Sequence, residues 1–167
     1  VVGTIMTNYG LENSLAKLGI ELVRTNVGDH YVVEKMLENG FRLGGESSGH
    51  IILGDKVTTG DGLLVAVHLC ALVVESGLSL QKLTDMKEYP QININIMTDK
   101  KDDIAKDSEL LALVSRLSAN LGDFGRTFVR ASGTENKLRI TAECADTQTA
   151  QSTAKELESF VKDKYKI

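Results

Sequence analysis

The one proline of the chain, Pro90, marks the point where its hydrophobic rhythm changes. Before it, short apolar runs alternate with stretches of helical spacing. Residues 1–6 form a compact apolar run that reads as a buried strand. Leu11, Leu15 and Leu18 follow at helical spacing up to Gly19, which predicts a helix over 10–18. Residues 20–25 read as a second strand, and 31–37 as a helix stopped by Asn39 and Gly40. The segments around Arg42 and Leu43 and at 51–53 read as further strands. This alternation predicts an α/β domain with helices on a mixed, mainly parallel sheet. The most hydrophobic stretch lies between Asp61 and Ser76. It is apolar nearly all round, which predicts a helix buried on every side, with His68 as a satisfied core histidine. A shorter helix around 79–86 follows.

Beyond Pro90 the period becomes two. Ile92, Ile94 and Ile96 alternate with Asn93, Asn95 and Met97, the pattern of a strand with one buried face. Leu110, Leu111, Val114 and Leu117 form the apolar stripe of a helix over 108–119. Strands over 126–131 and 137–143 flank a loop. A helix over 147–163 closes the chain, with Asp146 or Thr147 as its N-cap. The charged run 99–107 reads as a solvated loop. The order β-α-β-β-α predicts a small α+β domain, with the boundary at 86–90 and the domains spanning 1–88 and 89–167.

With 167 residues the chain has room for two small domains. Aromatic residues are 5% and Trp is absent, so the cores must be built from Leu, Val, Ile and Ala. A net charge of -4 and a pI near 5.4 argue against a nucleic-acid partner, which calls for a basic face. Any anion site must therefore rely on local positive potential. Cys70 and Cys144 lack metal-ligand or CxxC spacing and read as two buried free thiols. No run approaches the roughly 18 apolar residues of a membrane span, and no signal peptide opens the chain, so cytoplasm is the expected location. The opening at Val1, without Met, reads as a cut just before a strand.

Four segments carry chemistry. Arg130-Ala131-Ser132-Gly133-Thr134-Glu135 lies between two predicted strands. It is either a polar hairpin turn or a phosphate loop. In the second case Arg130 offers a planar fork, Ser132 and Thr134 offer hydroxyls, and Gly133 at positive φ lets backbone N–H groups converge on an anion. Arg139 can add a second charge. Gly44-Gly45-Glu46-Ser47-Ser48-Gly49-His50 is either a glycine-rich hairpin or a sugar-binding loop. If it is extended, Glu46 and Ser48 point to one side, and His50 can donate to phosphate or move a proton near pH 7. Val27-Gly28-Asp29-His30-Tyr31 places Asp29 as an N-cap and His30 in the first helical turn, where an anion is favoured. Thr58-Thr59-Gly60-Asp61-Gly62 offers Thr59 or Asp61 as a cap for the apolar helix. No metal-ligand cluster stands out.

Together these segments resemble the α-D-phosphohexomutase superfamily, over essentially the whole chain and in the right order. Gly45-Glu46-Ser47-Ser48-Gly49-His50 is similar to the sugar-recognition loop of its third domain, and Arg130 to Glu135 to the phosphate loop of its fourth. Within the superfamily, Val2-Gly3-Thr4-Ile5-Met6-Thr7-Asn8, Leu43-Gly44-Gly45-Glu46 and Thr58-Thr59-Gly60-Asp61-Gly62 resemble the bacterial phosphoglucosamine mutases. The resemblance implies a C-terminal half of an enzyme interconverting glucosamine 6-phosphate and glucosamine 1-phosphate, on the route to UDP-N-acetylglucosamine and the cell wall. The alternatives are a fragment of a phosphomannomutase/phosphoglucomutase and a non-catalytic phosphosugar-binding module.

The resemblance further implies a phosphoserine and a bisphosphate intermediate, with Mg2+ bound by the portion of the enzyme that carries the catalytic serine. No D-x-D-x-D-R loop and no Thr-Ala-Ser-His-Asn-type serine loop occurs here. The implied fragment binds no metal, is inactive alone, and has the N-terminal half of the same protein and a glucosamine phosphate as partners. A homodimer is possible for the full-length enzyme. The implied substrate-binding residues are Glu46, Ser48, His50, Arg130, Ser132, Gly133, Thr134 and Arg139, with His30 and His50 as possible assistants. Two positions depart from the family pattern. His30 stands where Arg is usual, and Asn136 replaces a Pro, which is expected to loosen the phosphate loop.

Overall fold

The computed structural model describes residues 1–84 and 86–167. The chain divides into two compact units, Val1–Lys87 and Glu88–Ile167. Any part of the expected 79–86 helix that falls on Asp85 lies outside the described residues.

The first unit runs β1 (Val2–Thr4), α1 (Tyr9–Lys17), β2 (Val23–Thr25), α2 (Asp29–Asn39), β3 (Leu43–Gly45), β4 (Ile51–Leu53), α3 (Gly62–Ser76) and α4 (Leu80–Leu83). Its sheet has the order β2-β1-β3-β4, with the first three strands parallel and β4 antiparallel to β3. This is the mixed, mainly parallel sheet with helices that the alternating pattern predicts. Helix α2 covers one face, burying Val32 and Met36 against Val2 and Ile52. The packing rests directly on the backbone of Gly44, where an added Cβ would lie 2.5 Å from Met36 Sδ and 2.7 Å from Val32 Cγ1. The alternate positions Gly3, Leu43 and Ile51 face the other way. With Leu11, Leu22 and Met86 they line an apolar cavity of about 380 Å³.

Helix α3 departs from expectation. It is capped by Asp61, whose side chain accepts from Leu64 N at 2.9 Å, but none of its residues is buried. Val74 is 81% exposed and Leu63 78%. His68 and Cys70 are exposed too, so neither the core-histidine nor the buried-thiol reading holds for them. Its main packing is on the edge strand β4 and the short α4. An all-round apolar helix states which neighbours a sequence favours, and the described residues do not supply them.

The second unit runs β5 (Gln91–Met97), α5 (Lys101–Ala105), α6 (Ser108–Leu121), a single 3-10 turn (Gly122–Phe124), β6 (Gly125–Ala131), β7 (Lys137–Cys144) and α7 (Thr147–Tyr165). All pairings in its β5-β7-β6 sheet are antiparallel. Ile96, Leu138 and Ile140 from the sheet meet Leu110, Leu117, Leu157 and Val161 from α6 and α7 in one core. Asp107 caps α6 and Asp146 caps α7. The 99–107 run is not a solvated loop: it contains α5, whose Ile104 is fully buried in that core. Cys144 is buried, as expected. No helix among the described residues is long and apolar enough to cross a membrane.

Candidate functional site

On the sheet face turned away from α6 and α7, β6 and β7 present two facing charged pairs. Near the 3-10 turn, Arg126 stands opposite Glu143. Arg126 Nε donates to Glu143 Oε2 at 2.5 Å, and Gln91 donates to the other carboxylate oxygen at 2.7 Å. That end is neutralised. At the other end Arg130 stands opposite Arg139. Like charges directly opposite destabilise a sheet unless something compensates them. Arg139 reaches Glu135 at 3.1 Å, but Arg130 has no carboxylate partner among the described residues. The Nε of both arginines is buried and without a hydrogen-bond partner. Burial, and then the charge of Arg139, push Arg130 below the ordinary arginine value. An anion between these guanidiniums would reverse both effects.

The strand-to-strand loop 132–135 begins beside this pair. Ser132 is buried, and its N–H donates to Lys137 O at 2.9 Å. Gly133 and Thr134 are exposed. Gly133 does not take positive φ, so the nest expected from its left-handed conformation is absent. A Cβ built there meets nothing within 4 Å. The folded chain itself gives no steric reason for glycine; open space in front of its backbone leaves room for an incoming group. The hydrogen bonds of Glu135 to Lys137 (2.6 Å) and Arg139 hold its carboxyl below the usual range, Lys137 contributing most.

Residues from the 98–101 segment support this loop, and sequence reasoning missed them. Lys101 Nζ donates to Ser132 O at 2.5 Å and Glu135 O at 3.0 Å. Asn136 Nδ2 donates to Asp99 Oδ1 at 2.8 Å, and Thr98 N–H donates to Asn136 O at 2.9 Å. The loosening expected from Asn136 is therefore offset by a side-chain tether that Pro could not make. The available signal was Asn136 itself, a polar residue in need of a partner.

In the first unit, β3 and β4 are joined by a turn closed by Glu46 N to His50 O at 2.9 Å and Gly49 N to Glu46 O at 3.1 Å. It is a hairpin turn rather than an extended segment, yet it gathers its side chains. Glu46 Oε1 accepts from Gly28 N at 2.6 Å, Ser48 Oγ donates to Glu46 Oε2 at 3.2 Å, and His50 Nδ1 lies 3.0 Å from Ser48 Oγ. A Cβ on Gly60 would sit 3.2 Å from the His50 ring. Three segments separate in sequence, 27–30, 45–50 and 58–62, thus meet at one edge of the unit.

Asp29 is not the N-cap of α2. Gly28 holds that position without a side-chain bond, and Asp29 Oδ1 accepts instead from His30 N at 2.8 Å. His30 lies in the first turn with its ring centroid 3.9 Å from that of Tyr31. With Asp29, Thr58 and Thr59 it borders an open groove of about 670 Å³. Among the described residues no three of His, Cys, Asp and Glu gather where they could hold a metal ion.

A mixed α/β unit followed by an antiparallel α+β unit, each with one polar loop between two strands, defines a two-module class. Residues 1–89 match the phosphoglucomutase/phosphomannomutase alpha/beta/alpha domain III, and residues 92–159 match the C-terminal domain of the same proteins. The chain therefore belongs to the phosphoglucomutase/phosphomannomutase family. It is 43% identical over 168 residues to a phosphoglucosamine mutase of Clavibacter michiganensis subsp. michiganensis, covering all of this chain and 38% of that one. It is 44% identical over 164 residues to the phosphoglucosamine mutase of Vibrio vulnificus (strain YJ016), covering 98% and 37%. The chain thus spans less than two fifths of the curated relatives it matches. In fold it is similar to Aspergillus fumigatus N-acetylphosphoglucosamine mutase, with a TM-score of 0.81 at 20% identity over 97% of this chain and 38% of that one. The same fungal enzyme in complex with GlcNAc-6P and magnesium gives a TM-score of 0.77 at 20% identity, over 97% and 39%.

Proposed function

We propose that the chain is the phosphosugar-holding C-terminal portion of a phosphoglucosamine mutase, an isomerase that interconverts glucosamine 6-phosphate and glucosamine 1-phosphate. The observation that carries this reading is the facing pair Arg130 and Arg139, each with a buried, unpartnered Nε beside an open loop. A phosphate accepts from both guanidiniums, from the hydroxyls of Ser132 and Thr134 and from the Gly133 N–H. In the first unit, Glu46 and Ser48 read sugar hydroxyls, and His50 sets the Ser48 hydroxyl through their 3.0 Å contact. His30 assists at the helix start, where an anion is favoured.

These roles are binding roles. In the reaction, a phosphoserine enzyme donates a phosphoryl group, and a bisphosphate intermediate turns so that either phosphate can be returned. The second unit holds the phosphate that is not being transferred. Binding energy from that remote group then orients the reacting one. The serine and the metal loop belong to the portion that the longer relatives carry, so this chain alone is inactive.

The test is 31P NMR of the chain with glucosamine 6-phosphate, alongside calorimetric titration with the same compound and with mannose 6-phosphate. The reading predicts binding of the amino sugar phosphate and no appearance of the 1-phosphate. Interconversion by the chain alone, or binding of mannose 6-phosphate in clear preference, would contradict it.

A further inference from the structure

We infer that Lys101 is a positioning residue that sets the direction of the Gly133 N–H in the 132–135 loop. The inference rests on the reading of that loop as the phosphate clamp. Lys101 begins α5, and the fully buried Ile104 fixes that helix in the core. Its ammonium then reaches both ends of the loop from one side, donating to Ser132 O at 2.5 Å and Glu135 O at 3.0 Å. Among the described residues no peptide bond is cis. In a trans peptide the carbonyl and the following N–H point in opposite directions. Holding Ser132 O toward Lys101 therefore turns the Gly133 N–H away from it. Holding Glu135 O does the same for the Asn136 N–H.

Two further observations fit this role. Gly133 and Thr134 are exposed, and apart from the flanking Ser132 and Thr134 no described residue approaches within 4 Å of where a Gly133 Cβ would stand. The outward side of the loop is thus open to a ligand while its inner carbonyls are engaged by a cation. A cation on the carbonyl also polarises the peptide and strengthens its N–H as a donor. The second tether, Asn136 to Asp99 at 2.8 Å, comes from the same short segment. One stretch of chain, 98–101, thereby presets the loop before a ligand arrives, which lowers the ordering cost of binding.

The experiment compares the 167-residue chain with its Lys101→Met, Lys101→Arg and Arg130→Ala variants. Calorimetry gives the Kd for glucosamine 6-phosphate, and 15N spectra give the Gly133 amide shift with and without it. Lys101→Met is expected to weaken binding about tenfold, the equivalent of one oriented hydrogen bond to a charged group. It should also move the Gly133 amide in the free protein while leaving the β5–β7 amides in place. Lys101→Arg, which can donate to both carbonyls, should recover binding to within about threefold of the parent. A Lys101→Met protein that melts earlier but binds with the parental Kd overturns the inference, because the residue is then only structural. If Lys101→Met does not fold, Lys101→Gln takes its place, and parental affinity in that variant overturns the inference equally. Arg130→Ala separates the two claims. Lost binding there with normal binding in Lys101→Met rejects the positioning role alone, whereas parental binding in Arg130→Ala rejects the phosphate-clamp reading and the inference together.

Discussion

Arg130 and Arg139 face each other directly across β6 and β7, and the buried Nε of each lacks a partner. If the loop is the proposed phosphate clamp, the facing charges oppose folding until an anion lies between them. Phosphate should therefore raise the melting temperature, by the linkage that yields about 2.7 kcal/mol at a ligand concentration of 100 Kd. Arg139→Leu should melt no earlier than the parent in anion-free buffer and show a smaller rise with phosphate. Thermal unfolding with and without phosphate checks both. An Arg139→Leu protein that melts several degrees early without phosphate would show that the pair is not repulsive.

At the other end of the same sheet face, Glu143 is fully buried and depends on Arg126. Removing one partner of a buried ion pair leaves a charge without compensation. Arg126→Met should lower unfolding free energy by about 3 kcal/mol, and urea unfolding measures it. A loss below roughly 0.5 kcal/mol, the usual size for an unremarkable surface change, would refute this account of the pair.

Asp107 ties the start of α6 to the end of α7. One carboxylate oxygen caps Glu109 and Leu110 N–H, and the other accepts from Lys164 at 2.8 Å and from the Tyr165 hydroxyl. Lys164 first, then Tyr165, hold its carboxyl well below the usual carboxylate range. A depressed folded-state value contributes stability that is fully present above the unfolded value of about 3.9 and is lost as pH falls through the folded one. Melting temperature should therefore fall more steeply between pH 5 and pH 2 in the parent than in Asp107→Asn. Parallel profiles would contradict it.

The exposed face of α3 makes a separate prediction. Val74→Lys should change unfolding free energy by no more than about 0.5 kcal/mol, as for other exposed positions. In the native chain Cys70 should react with a thiol reagent at once and Cys144 only after unfolding. Two protected thiols would show that α3 is covered in solution.

The second unit was largely legible in the sequence because β5 and the long helices each carry one apolar stripe, although β7 also buries Thr141 and Glu143 on its opposite face. The Ile92, Ile94 and Ile96 alternation and the Leu110 to Leu117 stripe therefore report their own burial. Helix α5 was not legible, since five residues with one buried isoleucine leave too little periodicity against four neighbouring lysines and aspartates. Helix α3 was legible as a helix but not in its exposure. The candidate loops were visible by residue type, whereas their supports were not. Nothing local in sequence links Gly28 to Glu46, or Lys101 to Ser132, across 18 and 31 positions. Gly133 shows the opposite error, a residue chosen for backbone freedom that the fold does not use.

The most direct test of the account is an NMR titration of the 15N-labelled chain with glucosamine 6-phosphate, run beside Arg130→Ala. The account predicts saturable shifts concentrated at 45–50 and 130–134 in the parent, with those at 130–134 lost in the variant. Shifts that are absent at millimolar ligand, or that persist unchanged without Arg130, would contradict the assignment of this loop as the phosphate clamp.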